Sequence, residues 1–336
     1  MNTLLISDTH FSPKGIDQVR LRLLDDIANK ASNGDVDAVI HAGDLTDFKD
    51  RHPSTLVNDI VDGLMRIAEH CPVFILKGNH DYLNEDRPFF DFLNYMDNIH
   101  FLCDPLEQKI GGKRFLMLPH TRDPHSQGWD TRDYSVYDYV VIHTSFDGSV
   151  SESGVELDGV SKEWFESANM VLAGDIHKPQ VVADNILHIG SPYHTRFGDN
   201  FEPRYLAIQD EGVVECSTDF PKRITATIDD VSEIKDLESK EGDYIKIRVR
   251  IEESDPWAQI RNQVHTACES LGLIVAGVEP ERSKKQQEGK QMQFESSLMK
   301  RLDDKQVVDY VADKESVDKS TARAGKRILN QVKGEG

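Results

Sequence analysis

Five times between the first residue and Asp175, a short apolar run ends in a cluster of carboxylate, imidazole or amide side chains. The runs are TLLIS before Asp8, DAVIHA before Gly43, VFILK before Gly78, YVVI before His143 and MVLA before Gly174. Each is long enough for a buried strand, and helical stretches separate several of them, an alternation that points to an α/β sandwich. In open α/β sheets ligands bind beyond the carboxyl ends of the strands, so all five polar clusters should share one rim. Residues 17 to 33 and 54 to 70 carry apolar side chains at helical spacing, as in Val57, Ile60, Val61, Leu64 and Ile67. These are read as core-facing helices without a function of their own.

The pattern changes after Pro221 to ITATIDD, YIKIRVRIEE, a helix DPWAQIRNQVHTACESLG with Ser254 or Asp255 as N-cap and Gly272 at its end, and the strand LIVAGV. Such a βαβ-like stretch is too short for a second catalytic domain. SKKQQEGKQMQ reads as a linker. Beyond it Phe294, Leu298 and Leu302 stand four residues apart, and a last helix is expected over about 317 to 332. The predicted organisation is therefore a main domain over 1–218, a small α+β cap over 219–282, and a linker with C-terminal helices over 283–336. A length of 336 residues, 38% hydrophobic and 29% charged, suits a soluble globular chain of two or three units. There is no 18-residue apolar run, and MNTLLISDTHFS reads as a strand, not a secretory leader. Cys71, Cys103, Cys216 and Cys268 are too scattered for a zinc cluster or a disulfide framework, which suggests a reducing, intracellular home. The net charge of −20 weighs against an unaided grip on nucleic acid, although residues 281 to 336 hold 13 Lys or Arg against 10 Asp or Glu.

The rim clusters are Asp8-Thr9-His10, Gly43-Asp44-Leu45-Thr46-Asp47, Gly78-Asn79-His80-Asp81, His143, and Gly174-Asp175-Ile176-His177. Any one of them could be an ordinary turn or helix cap. Five in succession, each behind a buried strand, point instead to a centre for hard or borderline divalent cations. As a set they resemble the ordered signature of the calcineurin-like metallophosphoesterase superfamily: D-x-H, G-D-x-x-D, G-N-H-[DE], a lone His, and G-H-x-H, over residues 1 to 218. The resemblance implies a metallophosphoesterase β-sandwich flanked by helices. It also implies a ligand set in which Asp8, His10 and His177 hold one metal, Asn79 and His143 the other, and Asp44 bridges both. A shared carboxylate would hold two cations about 3.5 to 4 Å apart, where they clamp a phosphate and activate water. His80 would face the substrate, oriented by Asp47 or alternatively by Asp81. The family's last motif opens with His where this chain has Asp175. A carboxylate there favours Mn2+ or Mg2+ over zinc, and the alternative is a lost second site.

ILHIGSPYHTRFGD, with Gly190-Ser191-Pro192 and Phe197, is similar to the G-S-P-x-x-x-x-F element of SbcD-type nuclease subunits, bacterial, phage and eukaryotic. That similarity implies a DNA exonuclease and endonuclease of recombination, repair or replication, working as a dimer with an SMC-like coiled-coil ATPase. Its setting would be the cytoplasm, the host's in the case of a phage-encoded chain. Phe294, Leu298 and Leu302 would grip the ATPase, while Arg122, His194 and Arg196 are candidate DNA contacts. Two rivals stay open: a small-substrate phosphomonoesterase or nucleotide phosphodiesterase, and a DNA-tethering assembly subunit with a degenerate site. His41, His52, His70, His100, His188 and His265 are read as structural or solvent-exposed.

Overall fold

The computed structural model describes residues 1–34, 36–252 and 254–282. The expected linker, the C-terminal helices and Phe294, Leu298 and Leu302 lie outside the described residues. In chain order the elements are β1 (Asn2–Ile6), α1 (Arg22–Ser32), β2 (Ala38–His41), α2 (Ser54–Ala68), β3 (Val73–Leu76), β4 (Ile99–Leu102), β5 (Leu106–Ile110), β6 (Lys113–Leu118) and β7 (Tyr139–His143). There follow β8 (Val171–Gly174), β9 (Gln180–Ala183), β10 (Ile186–His188), β11 (Arg204–Gln209), β12 (Gly212–Ser217), β13 (Arg223–Ile228), β14 (Tyr244–Arg250), α3 (Trp257–Ser270) and β15 (Ile274–Glu281).

Two six-stranded sheets, ordered β12-β11-β1-β2-β3-β4 and β5-β6-β7-β8-β10-β9, form a sandwich. In the first, β1 to β4 run parallel; in the second, β6, β7, β8 and β10 do. Strand periodicity of two sends alternate residues into different cores. Leu5, Ile40 and Phe74 meet Phe115, Met117, Val141 and Leu172 between the sheets. Leu4, Ile6, Val39 and Ile75 point the other way, onto Leu23, Leu24 and Ile27 of α1 and Ile60, Leu64 and Ile67 of α2. Being buried on both faces, the parallel strands read as nearly unbroken apolar runs. Each fully buried Leu, Ile or Phe contributes about 1.5 to 3 kcal/mol.

The sequence predicts a single helix over 17–33, whereas a 3-10 turn, Gly15–Leu21, precedes α1 and buries Asp17 and Arg20. The outer face of the second sheet is covered mainly by loop aromatics, Trp129, Tyr134, Phe146 and Phe165, rather than by long helices. The connections that supply them show no helical period in the sequence.

Two compact units divide the chain. One is Met1–Thr225 with Glu238–Lys246 and Cys268–Ala276; the other is Ala226–Leu237 with Ile247–Ala267 and the chain from Gly277. Strands β13, β14 and β15 form a three-stranded sheet in that order, and α3 leads into β15 through Gly272. Among the described residues no helix is long and apolar enough to cross a membrane.

Candidate metal centre

The five polar clusters follow β1, β2, β3, β7 and β8, so the parallel strands of both sheets deliver them to one rim. The backbone there is unusual. Among the described residues five non-glycine residues have positive φ, and four of them are Asp8 (54°), His10 (42°), Asp44 (59°) and Asp175 (88°). Left-handed backbone costs such residues on the order of 1 to 3 kcal/mol each and persists where surrounding structure over-determines it. Here hydrogen bonds hold it: Asp8 N–H donates to Gly43 O at 3.1 Å and His10 N–H to Asp44 O at 3.0 Å, lacing the first two clusters together. Two glycines leave the room required. A Cβ on Gly43 would lie 2.3 Å from His143 Nδ1, and one on Gly78 would lie 2.2 Å from the Asp44 carboxylate.

Side chains converge on the opening. Asp44 presents Oδ2 to His10 Nε2 and Oδ1 to His143 Nε2, each at 3.4 Å, so one buried carboxylate serves two imidazoles on opposite sides. His143 Nδ1–H donates to Ala42 O at 2.6 Å, which turns the Nε2 lone pair toward Asp44 and toward Asn79 Oδ1 at 3.3 Å. On the other side His10 Nε2 and His177 Nε2 stand 2.9 Å apart. Ligand atoms of Asp8, His10 and His177 all lie within 4.8 Å of one another, as do those of Asp8, Asp44 and His143 and those of His10, Asp44 and His80. Asp175 Oδ1 is 3.9 Å from His143 Nε2, and its backbone N–H donates to Asp8 Oδ1 at 3.1 Å. His80 Nδ1 lies 3.2 Å from Asp47 O, and its backbone N–H donates to Asp44 Oδ1 at 2.8 Å.

Burial pushes the Asp8 carboxyl up to about 8 and, with Asp81 nearby, drives Asp44 well above the usual carboxylate range. It holds His10 well below the ordinary imidazole value, reinforced by His177 and His80, and lowers His177 as well. Carboxylates and neutral imidazoles gathered with their lone pairs converging are the donor set of a divalent cation, which relieves the repulsion that burial imposes. The residues present therefore fit two cations sharing Asp44.

Cation uptake should release protons. At pH 7 Asp8 is mostly protonated in metal-free protein and must ionise to ligate. Because its folded pKa is raised, its contribution to metal-free stability is full below about pH 4 and is lost as pH rises through about 8. His10 and His177, whose lowered values make stability rise with pH towards the ordinary imidazole value, oppose that share, and Mn2+ should raise the Tm by about 5 to 10 °C for each site filled to 100 times its Kd. Titration calorimetry in buffers of different ionisation heat counts the protons. No release at pH 7 would contradict the assignment.

The other residues singled out from the sequence are placed as follows. The Asp47 carboxylate turns to Lys14 Nζ at 3.0 Å, so only the Asp47 carbonyl meets the His80 ring. Asp81 accepts from the backbone N–H groups of Asp44, Leu45 and Gly78 and ties the second and third clusters together. Neither carboxylate is within hydrogen-bond reach of His80 Nδ1 in the geometry found. His194 does not line the cleft: its ring is buried, with Nε2 donating to Phe201 O at 3.0 Å and Nδ1 accepting from Arg223 N–H at 3.1 Å. Arg122 lies over the Tyr82 ring and also stays out of the cleft, whereas exposed Arg196 lines it. The cleft holds about 390 Å³ and is also lined by Lys14, Asp17, Arg20, Glu152, Thr195 and Arg223, which the sequence patterns did not single out. His41, read as structural, accepts from Gly43 N–H at Nδ1 and faces Thr9 Oγ1 at 2.9 Å through Nε2, bracing the first two clusters.

Residues 1–207 match the model of the calcineurin-like phosphoesterase family. The chain belongs to that family. Two viral relatives show the distance within it. "Putative phosphoesterase 078R" of Invertebrate iridescent virus 3 is 23% identical over 212 residues, 60% of each chain. "Putative phosphoesterase 244L" of Invertebrate iridescent virus 6 is 24% identical over 266 residues, 73% of this chain and 92% of the relative. The alignment thus spans about 60% of the first relative's length. Family membership accounts for the sandwich and for the five clusters on its rim.

Proposed function

We propose that this chain is a metal-dependent phosphodiesterase acting on DNA, the nuclease subunit of an assembly with an SMC-like ATPase. The observation that carries the hydrolytic reading is Asp44, whose two oxygens each face a different imidazole at 3.4 Å. Asp8, His10 and His177 would hold one cation, Asn79, His143 and Asp175 the other, with Asp44 shared. When bound, two divalent cations, Mn2+ foremost and Mg2+ as the alternative, polarise a phosphate and lower the pKa of the attacking water. His80, half-buried at the cleft, supplies a donor to the reacting phosphate or its leaving oxygen.

Two features support a polyanionic substrate. Arg196 stands exposed on a polar cleft in a chain whose net charge is −20, where a cation beside the centre would meet a flanking phosphate, with Lys14, paired to Asp47, close by. The G-S-P element supports the SbcD-type likeness, and Ser191 Oγ donates to Asp8 O at 3.0 Å, bracing the first cluster. The ATPase contact is assigned to Phe294, Leu298 and Leu302, and a homodimer goes with that reading.

End-labelled duplex DNA, with Mn2+ or EDTA and with or without the ATPase, tests the proposal beside a small chromogenic phosphate ester. Mn2+-dependent DNA cleavage that exceeds ester turnover is the expected result. Faster turnover of the ester would favour a small-substrate enzyme, and no metal-dependent turnover of either would favour an assembly subunit.

A further inference from the structure

Arg20, Asp17 and Arg223 form a buried cluster on the cleft wall, all under a tenth exposed. Asp17 lies 3.2 Å from Arg20 and pairs closely with Arg223. Taking such charges out of water costs several kcal/mol per ion unless the geometry offsets it. Here the guanidiniums are committed to the backbone of the site. Arg20 donates to His10 O at 2.8 Å and to Thr195 O at 3.0 Å, and Arg223 donates to the same Thr195 carbonyl at 3.0 Å.

Thr195 is the link. Its hydroxyl lies 2.7 Å from His177 Nδ1 and 3.3 Å from Asp199 Oδ2, and Asp199 also accepts the N–H groups of Thr195 at 2.8 Å and Arg196 at 2.9 Å. A carboxylate only accepts, so a hydroxyl proton turned to Asp199 leaves the Thr195 oxygen to accept from His177. Glu152 Oε1, 3.6 Å from the same Nδ1, favours a proton there as well. In that arrangement His177 carries its proton on Nδ1 and turns the Nε2 lone pair toward His10 Nε2, 2.9 Å away.

We propose that Thr195 is the positioning residue of the Asp8–His10–His177 cation site, with Arg20 and Arg223 clamping it so that the two imidazoles keep one relative placement. This rests on the reading that those three residues hold a cation. The clamp reaches both imidazoles: His10 through its own carbonyl, where the backbone is left-handed, and His177 through the Thr195 hydroxyl.

The test is a Mn2+ titration of the full chain, followed by electron paramagnetic resonance and calorimetry, with thermal unfolding in EDTA alongside. Thr195→Val removes the acceptor and should weaken one of two Mn2+ sites about 10 to 100-fold, while the other site and the EDTA Tm stay near wild type. Thr195→Ser restores the oxygen and should restore affinity. Equal Mn2+ binding by wild type and Thr195→Val overturns the proposal, and so does a serine variant as weak as the valine one. Should Thr195→Val not fold, Arg20→Lys replaces it. A lysine cannot span both carbonyls, so the same site should weaken, and unchanged binding overturns the clamp. His177→Ala separates the two levels: if its Mn2+ uptake equals wild type, the cation reading fails before Thr195 is at issue.

Discussion

Asp44→Asn is expected to remove most divalent-cation binding at both sites and to cut phosphodiester hydrolysis by about 10³-fold or more. Bound cations supply several kcal/mol of charge stabilisation in such transition states, and each 1.36 kcal/mol is tenfold in rate. The substitution is nearly isosteric, so loss of folding is not the expected route. Asp44 is 2% exposed and burial already resists its negative charge, which makes a neutral amide easier to bury than the carboxylate. Metal-free Asp44→Asn should therefore unfold at or above the wild-type Tm while losing the stabilisation that Mn2+ gives. Both effects can be read from one series of thermal scans with and without Mn2+, set beside a DNA cleavage assay. Retention of two Mn2+ sites would show that the carboxylate is not shared. A collapse of the metal-free Tm would show that its contacts with His80 N–H and the imidazoles are structural.

The centre was more legible in the sequence than the wall that supports it. Asp8, His10, Asp44, Asn79, His143 and His177 announce themselves because each follows an apolar run, and a strand end is a fixed address in an α/β sheet. Thr195, Asp17 and Arg20 have no such address. Arg20 sits in a stretch whose apolar spacing reads as an ordinary core-facing helix, and only the 3-10 turn before α1 buries it under His10. Arg223 is about two hundred residues from its partner Asp17, and no local pattern pairs them. Sequence order also misdirects at short range. Asp47 stands close enough in the motif to suggest a carboxylate behind His80, yet that carboxylate faces Lys14 and leaves only a carbonyl for the ring. His194, beside the G-S-P element, is consumed by backbone partners. Asp175 is the intermediate case: a departure from the family pattern is visible in the letters, but its place, 3.9 Å from His143 Nε2 and with its N–H on Asp8, is visible only in the fold. The left-handed backbone at Asp8, His10, Asp44 and Asp175 is only weakly signalled, since Asp and His adopt positive φ more often than other non-glycine residues but far less readily than glycine.

His80→Gln is expected to lower DNA hydrolysis about 10² to 10⁴-fold, the range for loss of a general acid or a transition-state donor, while two Mn2+ ions still bind. Two arrangements compete for this ring. Its ligand atom falls within 4.8 Å of those of His10 and Asp44, close enough for a cation to recruit it. Against that, its Nδ1 is engaged with the Asp47 carbonyl, and its ring meets His10 edge-on with centroids 4.9 Å apart. It also opens onto the cleft, while the six residues assigned as ligands with Asp44 already offer donors on both sides. With Nδ1–H donating to a carbonyl, the neutral ring has only a lone pair at Nε2, so the donor to a phosphate oxygen or a leaving alkoxide is the doubly protonated imidazolium. Glutamine can hydrogen-bond to that oxygen but cannot deliver a proton at neutral pH, so the two roles separate. A substrate whose leaving group needs no proton, such as a nitrophenyl phosphodiester, should lose less rate in His80→Gln than DNA does. Equal losses on both substrates with Mn2+ retained would make His80 a charge stabiliser, not an acid. Loss of one Mn2+ together with activity would make it a ligand, and the division of labour proposed for the rim would have to be redrawn around His10, Asp44 and His80.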